Sequence, residues 1–311
     1  MILSLLGIGG GVVLLVLGGH FLVQGAVALA LRLRVSPLVI GLTIVGFGTS
    51  MPELATSVQA AWRDAPGIAV GNVVGSNICN ILLILGLSAL IFPVTVDRKG
   101  FRRDGAFLVA ATVLGAGLVA TGMLDRLFGL LLLAGLAGYM VLAFRTEAHP
   151  QIDDTEFSAS PAPMGRAILE ALGGILATIL GAHLLVSAAV DLAQSAGISE
   201  AVIGLSIVAV GTSLPELATS VVATWKRQSD VCFGNIVGSN IFNILGILGT
   251  TALLSPITVR DSVSVTDLAV MLAATLVLVL AALRGRIGRW VGAGFLAAYC
   301  GYMGWLGAGI V

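Results

Sequence analysis

Glu53 and Glu216 each follow a proline, Pro52 and Pro215, in stretches that are otherwise almost wholly apolar. Ahead of each lies a Thr-Ser pair, Thr49-Ser50 and Thr212-Ser213, and three positions before the threonine stands Gly46 or Ala209. A carboxylate in lipid is costly, so an ionisable residue there implies a functional partner. No basic residue lies inside either segment to serve as a counter-charge. The groups around each glutamate offer oxygen alone: carboxylates, hydroxyls, and carbonyls left without a helical donor because proline lacks an amide hydrogen. Calcium takes about 6–8 oxygen ligands in flexible geometry, whereas zinc and copper favour thiolate or imidazole. The inventory therefore points to a calcium or sodium site. Downstream, Ser76 and Asn80 are four apart and share a helix face; Ser239 and Asn243 repeat the relation and add neutral oxygens.

Every one of these residues has a counterpart 163 positions away. GLTIVGFGTSMPELATSV from Gly41 answers GLSIVAVGTSLPELATSV from Gly204, and GNVVGSNICNILLILG from Gly71 answers GNIVGSNIFNILGILG from Gly234. The register holds without a gap from Gly18 to Asp104 and from Gly181 to Asp267. Stretches long enough to span a bilayer, about 17–25 residues each, fall near 2–31, 36–62, 66–92, 103–122, 126–144, 165–194, 200–225, 230–254, 264–283 and 287–308. The expectation is an all-α membrane protein of ten transmembrane helices in two repeats of five, 1–145 and 164–311, joined by a polar linker at 146–163. Helices 2, 3, 7 and 8 carry the signature segments and read as discontinuous around a central ion site. Gly71 with Gly75, and Gly234 with Gly238, are spaced for close helix packing. Asn72, Asn77, Asn235 and Asn240 read as structural groups bonding broken backbone nearby.

Of 16 basic residues, only Arg63, Arg126 and Arg260 fall on one side of this arrangement. Positive charge stays cytoplasmic, which places the linker inside and both termini outside. Five helices per repeat is an odd number, so the second repeat starts from the opposite side and the two are inverted. Such a pair of broken-helix repeats is the pattern of a secondary transporter.

The chain has 311 residues, 58% hydrophobic and 10% charged, with zero formal net charge, and a mean hydropathy of +1.06. A soluble domain carries about 25% charged residues, so the partner of this surface is the lipid bilayer, and no basic excess argues for nucleic acid. Cys79, Cys232 and Cys300 sit far apart in apolar runs and read as small buried residues. His20 and His183 are a matched pair that read as packing or hydrogen-bonding residues. No HExxH occurs, and neither histidine lies in a signature segment, which argues against an intramembrane hydrolase and against an enzyme of any kind. A cation channel would use the same carboxylates, but inverted repeats with broken helices favour a carrier.

The paired GTSxPEL and GNxVGSNIxN segments resemble the two alpha repeats of the sodium/calcium exchanger family, in the calcium:cation antiporter superfamily. The resemblance covers essentially the whole chain and is to compact prokaryotic members, without a large regulatory loop. It implies that Glu53 and Glu216 chelate calcium with the backbone carbonyls of Thr49 and Thr212. It places sodium in flanking sites made with Gly46, Ser50, Ser76, Ala209, Ser213 and Ser239, with Asn80 and Asn243 lining the middle. The Thr-Ser pairs stand where proton-coupled members carry Asn-Ala, which favours sodium coupling. Asn243 stands where potassium-dependent members carry aspartate, which argues against potassium. The implied activity is electrogenic sodium/calcium antiport by alternating access in a prokaryotic plasma membrane, with no cofactor and no obligate protein partner. Calcium/proton or another cation/proton exchange, such as sodium/proton, is the alternative, since carboxylates also carry protons.

Overall fold

The computed structural model describes residues 2–63, 65–146, 162–195, 209–258 and 264–308. The expected linker lies almost wholly outside them, as do residues 200–208, which open the expected seventh helix and include the GLSIV end of its motif. The described chain is helical: α1 Ile2–Leu33, α2 Pro37–Thr49, α3 Met51–Trp62, α4 Pro66–Ile91, α5 Arg98–Ala120, α6 Arg126–Thr146, α7 Met164–Ser195, α8 Ala209–Gly211, α9 Leu214–Trp225, α10 Ser229–Leu254, α11 Val265–Ala282 and α12 Arg289–Ala308. Among the described residues, seven helices are long and apolar enough to cross a membrane, and α2 with α3, bent by 45°, makes an eighth. The protein is thus an all-helical, multi-pass membrane protein. α12, which carries Arg289 and a run of glycines, is less apolar and is not among the seven.

α4 and α10 depart from the expected discontinuity. Each runs unbroken for 26 residues. The irregularity is instead a π-helical middle, Cys79–Leu85 in one and Phe242–Ile247 in the other. Neither segment contains a proline to remove an amide, and backbone in lipid must remain hydrogen-bonded. A π turn inserts a residue while keeping the ladder closed. α2 carries a third such stretch, Gly41–Val45.

The chain divides into two compact units, each drawing on both repeats: residues 1–52 with 140–238, and residues 53–139 with 239–311. In the first unit, α1 and α7 pack along one another. These are repeat-equivalent helices of 32 residues each, and they run antiparallel. Their backbones touch at Gly174, where an added Cβ would lie against the Leu22 amide and 2.7 Å from the Gly18 carbonyl oxygen. At the repeat-related Gly11 it would lie 2.8 Å from the Gly181 carbonyl oxygen. Small residues permit this approach where lipid supplies no hydrophobic drive. The contact is reciprocal: exchanging the repeats maps it onto itself.

In the second unit, α5 packs on α11 and α12 on α4. Two short antiparallel strand pairs, β1 Val94–Thr95 with β4 Arg286–Ile287 and β2 Met123–Leu124 with β3 Ile257–Thr258, were not anticipated. Their registers, Val94 opposite Ile287 and Leu124 opposite Ile257, also interchange under the repeat offset. The Ser264 side chain and Asp267 close a reciprocal capping box at the start of α11. Asp267 also accepts from the Tyr302 hydroxyl at 2.8 Å. The repeat-related Asp104 is fully buried; it accepts from Tyr139 at a long 3.4 Å and from Arg103 at 2.8 Å.

One expectation about side chains changes: Cys79 and Cys232 are buried, but Cys300 is exposed. His20 and His183 are both exposed, and the His20 ring meets Phe21 edge-on with centroids 5.6 Å apart. Lipid is as apolar as a protein core, so an apolar run does not distinguish the two faces of a helix.

Candidate ion-binding site

The break ahead of each glutamate falls at the serine. Ser50 has φ −83° and ψ 9°, and Ser213 has φ −88° and ψ 8°, both in the sparsely populated bridge region used by turns and active sites. α3 and α9 then start afresh with proline in the first turn, where its missing amide costs nothing. Glu53 and Glu216 therefore stand in the first turn of a new helix. The positive end of the helix dipole favours a carboxylate there, by about 0.3–1 kcal/mol. Both glutamates are 1% exposed, so that benefit falls well short of the several kcal/mol that burying an ion costs.

The first unit holds Gly46, Thr49, Ser50, Ala209, Thr212, Ser213 and Glu216 of the expected site. Ser50 Oγ donates to Glu216 Oε1 at 2.7 Å, bringing together residues that lie far apart in sequence. Glu216 Oε2 is buried and, among the described residues, receives no hydrogen bond; the same holds for Thr212 Oγ1. Thr49 Oγ1 donates to the Val45 carbonyl at 3.0 Å and approaches Asn235 Oδ1 at 3.1 Å. The Gly46 carbonyl accepts from the Ser50 amide at 3.2 Å. α2 reaches α10 through glycine: an added Cβ at Gly234 would lie 2.6 Å from the Leu38 carbonyl oxygen, and at Gly238 it would collide with that of Leu42. The expected close packing is therefore present at Gly234 and Gly238. At Gly71 and Gly75 an added Cβ meets no described atom within 4 Å.

The second unit holds Glu53, Ser76, Asn80, Ser239 and Asn243, all buried. Asn80 Nδ2 donates to Asn240 Oδ1 at 3.1 Å, tying the π-helical middle of α4 to α10. Asn80 Oδ1 and both side-chain polar atoms of Asn243 have no hydrogen-bond partner among the described residues. Native proteins leave few buried polar atoms unsatisfied. In this unit two amide oxygens, of Asn80 and Asn243, stand so, hard donors of the kind that calcium and sodium take.

Asn72 and Asn235 brace the breaks, as their positions suggested, whereas Asn77 Nδ2 donates to the Val73 carbonyl of its own helix at 2.7 Å and Asn240 pairs with Asn80. Asn72 Nδ2 donates to the Glu53 carbonyl at 3.1 Å and to Ser57 Oγ at 2.9 Å. Asn235 Nδ2 makes the equivalent bonds to the Glu216 carbonyl at 3.3 Å and Ser220 Oγ at 2.9 Å. Ser57 and Ser220, one turn past each glutamate, complete these braces; their recurrence in both ELATS segments was the signal available in the sequence. Asn235→Leu removes these bonds inside the membrane. With about 1–3 kcal/mol for each buried group left unsatisfied, its unfolding midpoint in detergent should fall by several degrees. An unchanged midpoint would show that the brace carries no load.

The family profile described as sodium/calcium exchanger protein matches residues 3–145 and 167–307. A protein of Alkalimonas amylolytica described as a candidate antiporter, CaxA, is 41% identical over 302 residues, covering 94% of this chain and 95% of its own. The sodium/calcium exchanger MaX1 of Methanosarcina acetivorans is 33% identical over 333 residues, covering 94% and 95%. A solved structure of the sodium-calcium exchanger NCX_Mj, soaked without sodium or calcium, superposes with a TM-score of 0.87 at 33% identity, covering 98% of this chain and 99% of that one. Doubled proline-broken helices, buried carboxylates and a match along nearly the whole chain converge on one conclusion: this is a membrane transporter, not an enzyme, and it belongs to the sodium/calcium exchanger family.

Proposed function

We propose that the chain exchanges sodium for calcium across a membrane by alternating access, with Glu53 and Glu216 as ligands shared by both ions. The observation that carries this reading is Glu216, buried inside the protein at a helix break, with one oxygen held by Ser50 and the other receiving no hydrogen bond among the described residues. Thr49 and Thr212 would add backbone carbonyls to calcium. Gly46, Ser50, Ser76, Ala209, Ser213 and Ser239 would complete flanking sodium sites, with Asn80 and Asn243 between them. Two carboxylates cannot neutralise calcium and a full set of sodium ions together without leaving surplus positive charge in a poorly solvating interior. Occupancy is then mutually exclusive, which is what exchange requires. Three sodium ions for one calcium would make the cycle electrogenic.

The antiparallel course of the repeat-equivalent α1 and α7 supports inverted repeats, 1–145 and 164–311. The distribution of basic residues supports a cytoplasmic linker and external termini in a prokaryotic plasma membrane. α1 and α7 would move as a pair to open the site to one side at a time. Asn243 carries no charge, so potassium is not a co-substrate.

Radioactive calcium uptake into vesicles loaded with sodium and diluted into sodium-free medium tests this reading, with potassium and pH varied. Uptake that needs internal sodium and ignores potassium is expected. Uptake driven only by a proton gradient would move the protein to the proton-coupled class. Calcium flux that needs no counter-ion would make it a channel.

A further inference from the structure

The second unit carries a groove of about 880 Å³ between α5 and α11. Its walls are Ala106, Val109, Ala110 and Val113 of α5, with Val279 of α11 facing them. Arg98 and Arg102 line one end, and among the described residues no acidic side chain lines any part of it. From Arg102 to Val113 the helix rises about 16 Å, room for most of an acyl chain.

The basic end is built. Arg98 donates to the Arg284 carbonyl and lies across Gly285, whose φ is +84° and where an added Cβ would stand 2.5 Å from Arg98 Nε. Only a bare backbone lets the guanidinium rest there. Arg102 is exposed and pairs with no acidic group among the described residues. The nearby carboxylates are otherwise engaged: Asp104 is buried against Arg103, and Asp97 Oδ2 accepts from the Gly100 amide at 3.0 Å. The strand pair β1–β4 brings Arg286 to the same end. Beside it Trp290 is 91% exposed, and an exposed tryptophan belongs at headgroup level.

We propose that this groove holds an anionic phospholipid, with its phosphate on Arg98 and Arg102 and one acyl chain along Ala106, Val109, Ala110 and Val113. Two cations at the interface, above an apolar cleft between spanning helices, select negative over zwitterionic headgroups. The assignment needs only that the chain spans a membrane, and stands apart from which ions it carries.

The test is native mass spectrometry of the whole purified protein offered equimolar dioleoylphosphatidylglycerol and dioleoylphosphatidylcholine. Preferential retention of phosphatidylglycerol is expected. Arg102→Gln, which removes no ion pair among the described residues, should weaken it about fivefold, and the Arg98→Gln/Arg102→Gln double variant about 30-fold. Ala110→Phe, which fills the cleft and leaves the charge alone, should also weaken it. Equal retention of the two lipids by the unaltered protein would overturn the proposal. So would unchanged retention in Arg102→Gln, or competition by glycerol phosphate as effective as by the intact lipid.

Discussion

Glu216→Gln protein is expected to lose sodium-driven calcium uptake while remaining folded. The substitution keeps the shape, and Ser50 Oγ can still donate to an amide oxygen where it now donates at 2.7 Å to the carboxylate. The charge is what disappears. Removing one member of a buried ion pair costs about 3–5 kcal/mol, which corresponds to calcium binding weaker by about 10²–10⁴-fold. Glu53→Gln should behave in the same way. Stability should move in the opposite direction. A buried carboxylate without its cation is unfavourable, so in ion-free buffer Glu216→Gln should unfold at a higher temperature than the unaltered protein. Calcium at a hundred times its dissociation constant should stabilise the unaltered protein by about 2.7 kcal/mol and leave the variant unchanged. A variant that exchanges calcium normally would sink the assignment of Glu216.

Gly174→Leu should be the most damaging substitution in the helix pair α1–α7. A Cβ there meets the Leu22 amide and, at 2.7 Å, the Gly18 carbonyl oxygen. Both are backbone atoms and cannot rotate away as a side-chain tip can. Overpacking typically costs about 1–3 kcal/mol and more where nothing yields, so the helices must part along a contact that both repeats share. The adjacent Gly173 is an internal control, since an added Cβ there meets no described atom within 4 Å. Size-exclusion profiles after heating should show Gly174→Leu falling by about 10 °C or failing to give a single species, on a scale of about 2–4 °C per kcal/mol. Gly173→Leu should stay close to the unaltered protein. Equal behaviour of the two would remove backbone contact as the basis of the pairing.

The proposed site rests on a pattern that is written twice. One Pro-Glu step in a hydrophobic helix says little, but Pro52-Glu53 and Pro215-Glu216 at a constant offset mark a candidate site, and proline located each break within two residues of Ser50 and Ser213. The bracing roles of Asn72 and Asn235 followed from the same logic, since broken backbone in lipid needs local donors. The π-helical middles at Cys79–Leu85 and Phe242–Ile247 were not legible. They contain no proline, and an extra residue in a helical turn leaves no periodicity to detect over a single turn. The strand pairs escaped because two residues, as at Val94–Thr95, are too few to alternate. The exposure of Cys300 escaped because hydrophobicity in a bilayer reports depth and says nothing about which way a side chain faces.

The hydrogen bonds between Asp104 and Tyr139 and between Asp267 and Tyr302 recur at the 163-residue offset. Each ties two consecutive helices within one half of the sequence, whereas the bond between Asn80 and Asn240 ties one half to the other. Arg103 flanks one aspartate and Thr266 the other. The tie therefore does not depend on the neighbouring arginine: Asp267 holds Tyr302 at 2.8 Å with a threonine in its place.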